Sequence, residues 1–148
     1  MSATNTFEND ILLLLFNNTT IAGVGDTTGI VGSSSAGNLW VSLHTGSPGE
    51  AGNQSSSECT YTGYGRVSVA RSGAGWTVTG NSVSPAATIS FGAETSNGSV
   101  SETATYMGVG STSAGTGKLM FFGTITPNIS ISAGVTPQLT TATAITAD

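Results

Sequence analysis

The chain reads as an all-β protein, an antiparallel β-sandwich of jelly-roll type with about seven or eight strands and one short N-terminal helix. Three observations carry that expectation. Apolar residues alternate with polar ones at period two in several short runs after Gly37, as half-buried strands require. The runs are separated by Gly, Pro, Asn and Ser, which punctuate small sandwiches. Ser, Thr and Gly together supply 66 of the 148 residues (21 Ser, 24 Thr, 21 Gly), a composition that serves strands and turns and leaves only one segment with helical spacing.

That segment runs from about Thr6 to Asn17. Asn5 or Thr6 is placed to cap it, and Glu8 and Asp10 fall in the first turn, where the helix dipole favours acids. Phe7, Ile11, Leu14 and Leu15 form one apolar stripe, while Leu12, Leu13 and Phe16 make the C-terminal half apolar nearly all round. A helix of that kind is expected to bury two sides. One side would face its own domain and the other, through Phe7, Ile11, Leu14 and Leu15, a partner chain. Residues 21–37 follow as a long Gly/Thr/Ser loop, expected to be ordered by contact with partners. The predicted organisation is therefore an N-terminal helix and arm over 1–37 and a β-domain over 38–148.

Within 38–148 the strand candidates come in sequence. Leu39, Val41 and Leu43 alternate with Trp40, Ser42 and His44. Val67 and Val69 alternate with polar neighbours, and Trp76 and Val78 follow a Gly-rich turn. Ala87–Phe91, Ala104–Val109, Leu119–Ile125, Ile129–Ile131 and about Gln138–Thr146 complete the set. Asn97-Gly98 is a strong tight-turn signal and Asn81 after Gly80 a weaker one.

Charge narrows the function. Eight acids face three bases (Arg66, Arg71, Lys118), a net charge of −5. Three scattered bases cannot form the stripe that phosphate backbones require, so nucleic acid is excluded as a partner. So few charges also predict a surface that neighbours partly cover. With one cysteine (Cys59) and one histidine (His44) there is no intrachain disulfide, and no metal or cofactor is expected. The apolar run Ile11–Phe16 lacks the basic flank of a signal peptide and is far shorter than the ~20 residues a bilayer span needs, so no membrane insertion is expected.

No catalytic constellation stands out, and the expectation is a non-enzyme. Gly110–Lys118 has glycines and a lysine but not phosphate-loop spacing: Thr112 stands where a glycine belongs, and Leu119 where a hydroxyl belongs. A Ser-His-acid set can be drawn on paper around His44, yet no Gly-x-Ser-x-Gly elbow is present. Cys59 has no adjacent base to activate it. The stretch from Leu39 to Gly52, with Tyr61 to Val67, reads instead as a locked structural loop built on His44, Pro48, Glu50, Tyr64 and Arg66. Pro48-Gly49 suits a type II turn, and Arg66 is placed to reach Glu50 or loop carbonyls.

The order of an apolar N-terminal helix, Leu43-His-Thr-Gly with Pro48-Gly-Glu-Ala-Gly, Tyr61-Thr-Gly-Tyr-Gly-Arg, Trp76-Thr-Val, Ala87-Thr-Ile-Ser-Phe and Tyr106-Met-Gly-Val resembles small all-β virion proteins of tailed bacteriophages, of tail-fibre-like or head-decoration type. The resemblance covers Phe7 to about Leu139 and is most specific from Leu43 to Arg66. It implies a structural role on the phage particle and supplies no catalytic residues. The first reading is a capsid decoration (cement) protein that binds the major capsid protein and copies of itself as a homotrimer. The alternative is a tail-tip or tail-fibre component in which Trp40, Trp76, Tyr61 or Tyr64 would stack on host glycans.

Overall fold

The structure, a computed structural model, describes residues 2–96 and 102–147. Among them run one helix, α1 (Asn5–Asn17), and nine strands: β1 (Asn38–His44), β2 (Val67–Ala70), β3 (Trp76–Thr79), β4 (Ser82–Pro85), β5 (Ile89–Ser90), β6 (Glu102–Gly110), β7 (Leu119–Ile131), β8 (Gln138–Leu139) and β9 (Ile145–Thr146). They form sheets ordered β2-β1-β6-β7, β3-β4-β9 and β5-β8. The pairings β1–β6, β3–β4, β4–β9, β5–β8 and β6–β7 are all antiparallel, so the protein is the expected all-β chain with one short helix. The backbone divides into two compact units, Met1–Asn38 with Val69–Thr88 and Thr140–Asp148, and Leu39–Ser68 with Ile89–Leu139.

In the first unit, Thr4 and not Asn5 or Thr6 caps α1. Thr4 is extended (φ −84, ψ 150), so its Oγ1 accepts from the Phe7 N–H at 3.4 Å while its carbonyl accepts from Glu8 N at 2.9 Å. The helix stops at Asn18, which adopts φ 58 in the left-handed region. No basic residue stands in the last turn, and Arg71 supplies one from outside. Its guanidinium donates to the carbonyls of Leu14 and Leu15, the latter at 2.6 Å.

Leu12 and Phe16 are fully buried and form the inner stripe with Glu8, and the Phe16 ring meets Trp76 edge-on at 4.9 Å. Phe7 is 41% exposed, and Ile11, Leu14 and Leu15 are half-buried. A helix apolar all round does not announce its inner face, and tertiary packing on Trp76 chooses it here.

Gly80 (φ +60) and Asn81 close the β3–β4 hairpin between Thr79 and Ser82, which realises the weaker turn signal. Strand β4 alternates in burial, with Val83 and Pro85 inward, but with Val83 as its one aliphatic residue it is too short to stand out in the sequence. Between Asn18 and Ser33 the chain is held by its own polar bonds. Asn18 Oδ1 accepts from Ser33 N at 2.7 Å, Ile21 and Ile30 exchange both backbone bonds, and Asp26 Oδ1 accepts from Thr28 N and Gly29 N.

In the second unit, β1 pairs with β6 in a register that places Val41 opposite Val109 and Leu43 opposite Met107. Those four residues are buried on one face, joined in the core by Ile89, Phe91, Ile131 and Leu139. Trp40, Ser42 and His44 share the other face with Tyr106, Gly108 and Gly110. Strand β7 is one element where two were expected: Thr124 lies opposite Tyr106 and Ile129 opposite Ala104, so an irregular stretch joins the halves. The expected strand over 138–146 is two, β8 and β9, parted by a turn in which Thr143 N donates to Thr140 O. The Asn97-Gly98 turn lies outside the described residues. Among those residues no helix is long and apolar enough to cross a membrane.

Candidate functional site

The densest polar cluster lies in the second unit, where the chain leaving β1 returns beside it. Thr45 N donates to Ser57 O at 2.8 Å and Cys59 N to Leu43 O at 2.9 Å, which makes an antiparallel bridge between His44 and Glu58. The bridge brings Glu58 to Arg66. Nε of Arg66 donates to Glu58 Oε1 at 2.7 Å and Nη2 to Glu58 Oε2 at 2.8 Å, a two-pronged pair with the arginine side chain 2% exposed and the glutamate 15%. The remaining donors reach Gly115 O (2.7 Å), Thr112 O (3.1 Å), Thr112 Oγ1 and Ser55 Oγ. One guanidinium therefore fastens the loop 53–58 to the β6–β7 loop 111–118. Hydrogen bonding to Glu58 raises the already high pKa of Arg66.

Gln54 makes a second fastening. Fully buried, it donates from its backbone N to Gly117 O (3.0 Å) and accepts the Thr112 N–H on Oε1 (3.0 Å). Gly110 and Gly117 leave room for it, because a Cβ on either would collide with the Gln54 side chain. Tyr64 closes the cluster from beneath: its hydroxyl donates to Glu58 Oε1 at 2.8 Å and accepts from Leu43 N at 3.1 Å. Its ring lies between Tyr61 (5.3 Å, edge-on) and Phe91 (6.3 Å, stacked). Burial pushes the Tyr64 phenol well above its usual range. Farther along, the Glu102 carboxylate accepts from Thr60 N, Thr60 Oγ1 and Tyr61 N.

His44 is fully buried on the sheet face. Its Nδ1 is 2.8 Å from Ser56 O and its Nε2 is 2.9 Å from Ser42 Oγ. A carbonyl can only accept, so Nδ1 carries the proton and Nε2 accepts from the Ser42 hydroxyl. Burial holds this imidazole below its usual pKa, against the opposing pull of the Ser56 carbonyl. The pair has the contact of a nucleophile and its base, but the ring is oriented by a carbonyl and not a carboxylate. Both residues are at 0% exposure, and Gly108 packs over them so closely that a Cβ there would sit 2.7 Å from His44 Nε2. In this arrangement the Ser42 hydroxyl meets no outside substrate.

Of the five loop residues singled out from sequence, His44, Tyr64 and Arg66 meet in this cluster. Pro48 is buried in a turn whose Gly49 has φ +73, as a type II turn requires, and Glu50 stands exposed beyond it. Arg66 pairs with Glu58 and not Glu50, because the bridge to His44 draws Glu58 inward while the turn carries Glu50 away. The roles of Ser42, Gln54, Glu58, Glu102 and Thr112 are not announced by the sequence. Gln54 and Thr112 stand 58 positions apart and Thr60 and Glu102 42, and the nearer pairs, Ser42 with His44 and Glu58 with Arg66, have no spacing that marks a contact.

The aromatic candidates for glycan stacking are reduced. Trp76 is 1% and Tyr61 3% exposed, and the Tyr64 ring is committed to its neighbours, which leaves half-buried Trp40. Cys59 is buried, and its thiol is pushed up to about 12 by desolvation and then by the charge of Glu102. Among the described residues no group of three or more His, Cys, Asp or Glu is arranged to hold a metal ion.

The chain's cluster is thus a rigid mount for two hydroxyl-rich loops. A comparison with protein families matches residues 2–147 to a family described as "Podophage GP4 fiber I protein gp80". No curated protein matches the chain.

Proposed function

This chain belongs to the podophage GP4 fiber I protein gp80 family, and we propose from that membership that it is built into the tail fibre. It is a tailed-phage virion structural protein. The observation that carries the fibre reading is a match that spans 2–147, nearly the whole chain, so the description applies to all of its described strands and loops. The family favours the tail-fibre alternative over capsid decoration. Physical character supports it: 11 charged residues in 148 leave a sparsely charged, hydroxyl-rich surface, and Arg66 with Gln54 holds two loops in one arrangement. Loops that carry contacts on a rigid scaffold lose little entropy when they bind.

The proposed role is non-enzymatic. The buried Ser42–His44 contact serves the loop mount. Gold-labelled antibody against the chain, imaged on intact particles, tests the placement. Label on the tail is the expected result, whereas label distributed over the capsid would overturn it in favour of the decoration reading.

A further inference from the structure

Among the described residues three buried side-chain polar atoms have no hydrogen-bond partner: Trp76 Nε1, Glu94 Oε2 and Ser96 Oγ. Two of the three are oxygens on residues two positions apart, shortly after β5. Glu94 is 1% exposed, and its Oε1 accepts from Ser96 N at 2.6 Å, which leaves Oε2 as the open acceptor. The Ser96 hydroxyl lies close enough to help hold the Glu94 carboxyl ionised, yet outside hydrogen-bond geometry with any acceptor. The backbone here is fixed on two sides. Glu94 N donates to Val135 O at 2.9 Å, Gly134 N to Glu94 O at 2.8 Å and Thr95 N to Thr62 O at 3.1 Å. A carboxylate that is buried, firmly held and short of a donor has lost its hydration without full replacement.

Its charge is uncompensated as well. The Ser96 N–H holds the Glu94 carboxyl below its usual range, so it is ionised at neutral pH. Among the described residues the one ion pair is Arg66 with Glu58, while Arg71 serves the carbonyls at the end of α1 and Lys118 is exposed on the β6–β7 loop. A second acid adds to the negative field. The Tyr61 phenol, pushed up to about 12 by burial first, also feels the charges of Cys59, Glu102 and Glu94.

From two open oxygens on a buried carboxylate and its neighbouring hydroxyl, with no base to pair them, we infer that Glu94 and Ser96 are ligands of a calcium ion. Ligand chemistry selects the ion. A carboxylate and a hydroxyl are hard oxygen donors, which suit calcium at about 2.3–2.6 Å. Transition metals favour nitrogen and sulfur, and the chain's one histidine and one cysteine are buried elsewhere, at 44 and 59. Calcium takes about six to eight oxygens and accepts backbone carbonyls and water among them, so it does not require a group of three acids. A water molecule in the same place would serve both oxygens but leave the buried charge unpaired. The inference goes beyond the fibre reading and does not depend on it.

Calorimetric titration of the chelator-treated full chain with calcium chloride tests it, with thermal melts run alongside. The expected result is saturable binding of about one ion with Kd of about 10⁻⁴–10⁻³ M, the range of extracellular calcium modules. At about ten times that Kd, Tm should rise by about 4 °C. Glu94→Gln keeps the shape, removes the charge and should weaken binding by about tenfold or more. Ser96→Ala, the milder change if the glutamine variant does not fold, should weaken it by about threefold. Glu50→Gln, at an exposed acid, should leave binding unchanged. Near-UV circular dichroism reports whether each variant is folded. A wild-type titration without saturable heat overturns the inference, as does a rise in Tm that sodium chloride reproduces at equal ionic strength. So does a folded Glu94→Gln or Ser96→Ala chain that binds calcium like wild type. Failure here with tail labelling intact would leave the fibre placement standing, and the reverse would leave the calcium site standing.

Discussion

Replacing Arg66 with methionine should be the most costly single change in the second unit. The side chain is 2% exposed, and its donors serve both Glu58 oxygens, Thr112 O, Thr112 Oγ1, Gly115 O and Ser55 Oγ. Methionine fills most of the volume but leaves the Glu58 carboxylate with only the Tyr64 hydroxyl among its side-chain partners. Removing one member of a buried pair costs about 3–5 kcal/mol. Glu58 retains 15% exposure and regains some hydration, which places the expected loss near the lower end, about 3 kcal/mol. In a chain of this size that corresponds to a fall in Tm of about 10 °C. Guanidinium titration and thermal melts followed by circular dichroism read both quantities. The double variant Glu58→Met with Arg66→Met should recover part of the loss, because it also removes the uncompensated carboxylate, and the double-mutant cycle should give a coupling of at least about 1.5 kcal/mol. A loss under about 1 kcal/mol for Arg66→Met, or a cycle without coupling, would refute the idea that this ion pair holds the loops.

Other expectations follow from the same geometry. His44 is held below its usual 6.5, so on acidification the unfolded chain takes up the proton first; the stability it lends is intact above pH 6.5 and is lost as pH falls through 6.5 towards the folded value. Tm should therefore drop between about pH 7.5 and about pH 5.5, less so in His44→Gln, and identical slopes in the two proteins would contradict this. Backbone bonding from Ser96 holds Glu94 below its usual 4.5, so its contribution is lost only at still lower pH, as pH falls from 4.5. Cys59, with its thiol near 12, should resist iodoacetamide at about pH 8 in the folded chain and react fully in guanidinium; equal rates in both states would show that it is not buried. Gly110→Ala drives a Cβ into Gln54, and should cost about 1–3 kcal/mol and open the 111–118 loop to protease. Phe16→Ala should cost about 3–5 kcal/mol and alter Trp76 fluorescence, whereas unchanged emission would argue against their ring contact.

Local pattern was informative where it depends on near neighbours. Leu39, Val41 and Leu43 alternate because β1 buries one face continuously, and α1 is visible because its apolar residues are dense. The hairpin at Gly80-Asn81 needs positive φ at Gly80, a demand that sequence records directly. Short strands left weaker traces. β5, β8 and β9 are two residues each, too few to show a period, and β4 has a single aliphatic residue. In β7 the irregular stretch between Thr124 and Ile129 interrupts alternation, so one strand reads as two.

By itself, the sequence determined the all-β class, the single helix and the absence of a charged surface, since these follow from composition and from spacing within a few residues. Its phage-like loop motif pointed to a virion protein. Tertiary structure alone decided which helix face turns inward, because seven apolar residues compete for it and only contact with Trp76 separates them. It also decided that Arg66 meets Glu58 and that Gln54 meets Thr112. The backbone bridge between His44 and Glu58 sets up the first and the bond from Gln54 N to Gly117 O the second, and side-chain chemistry confers the capacity to bond without specifying the partner. The Ser42–His44 contact shows the same division: the residue types permit catalysis, and their complete burial assigns them to the loop mount instead.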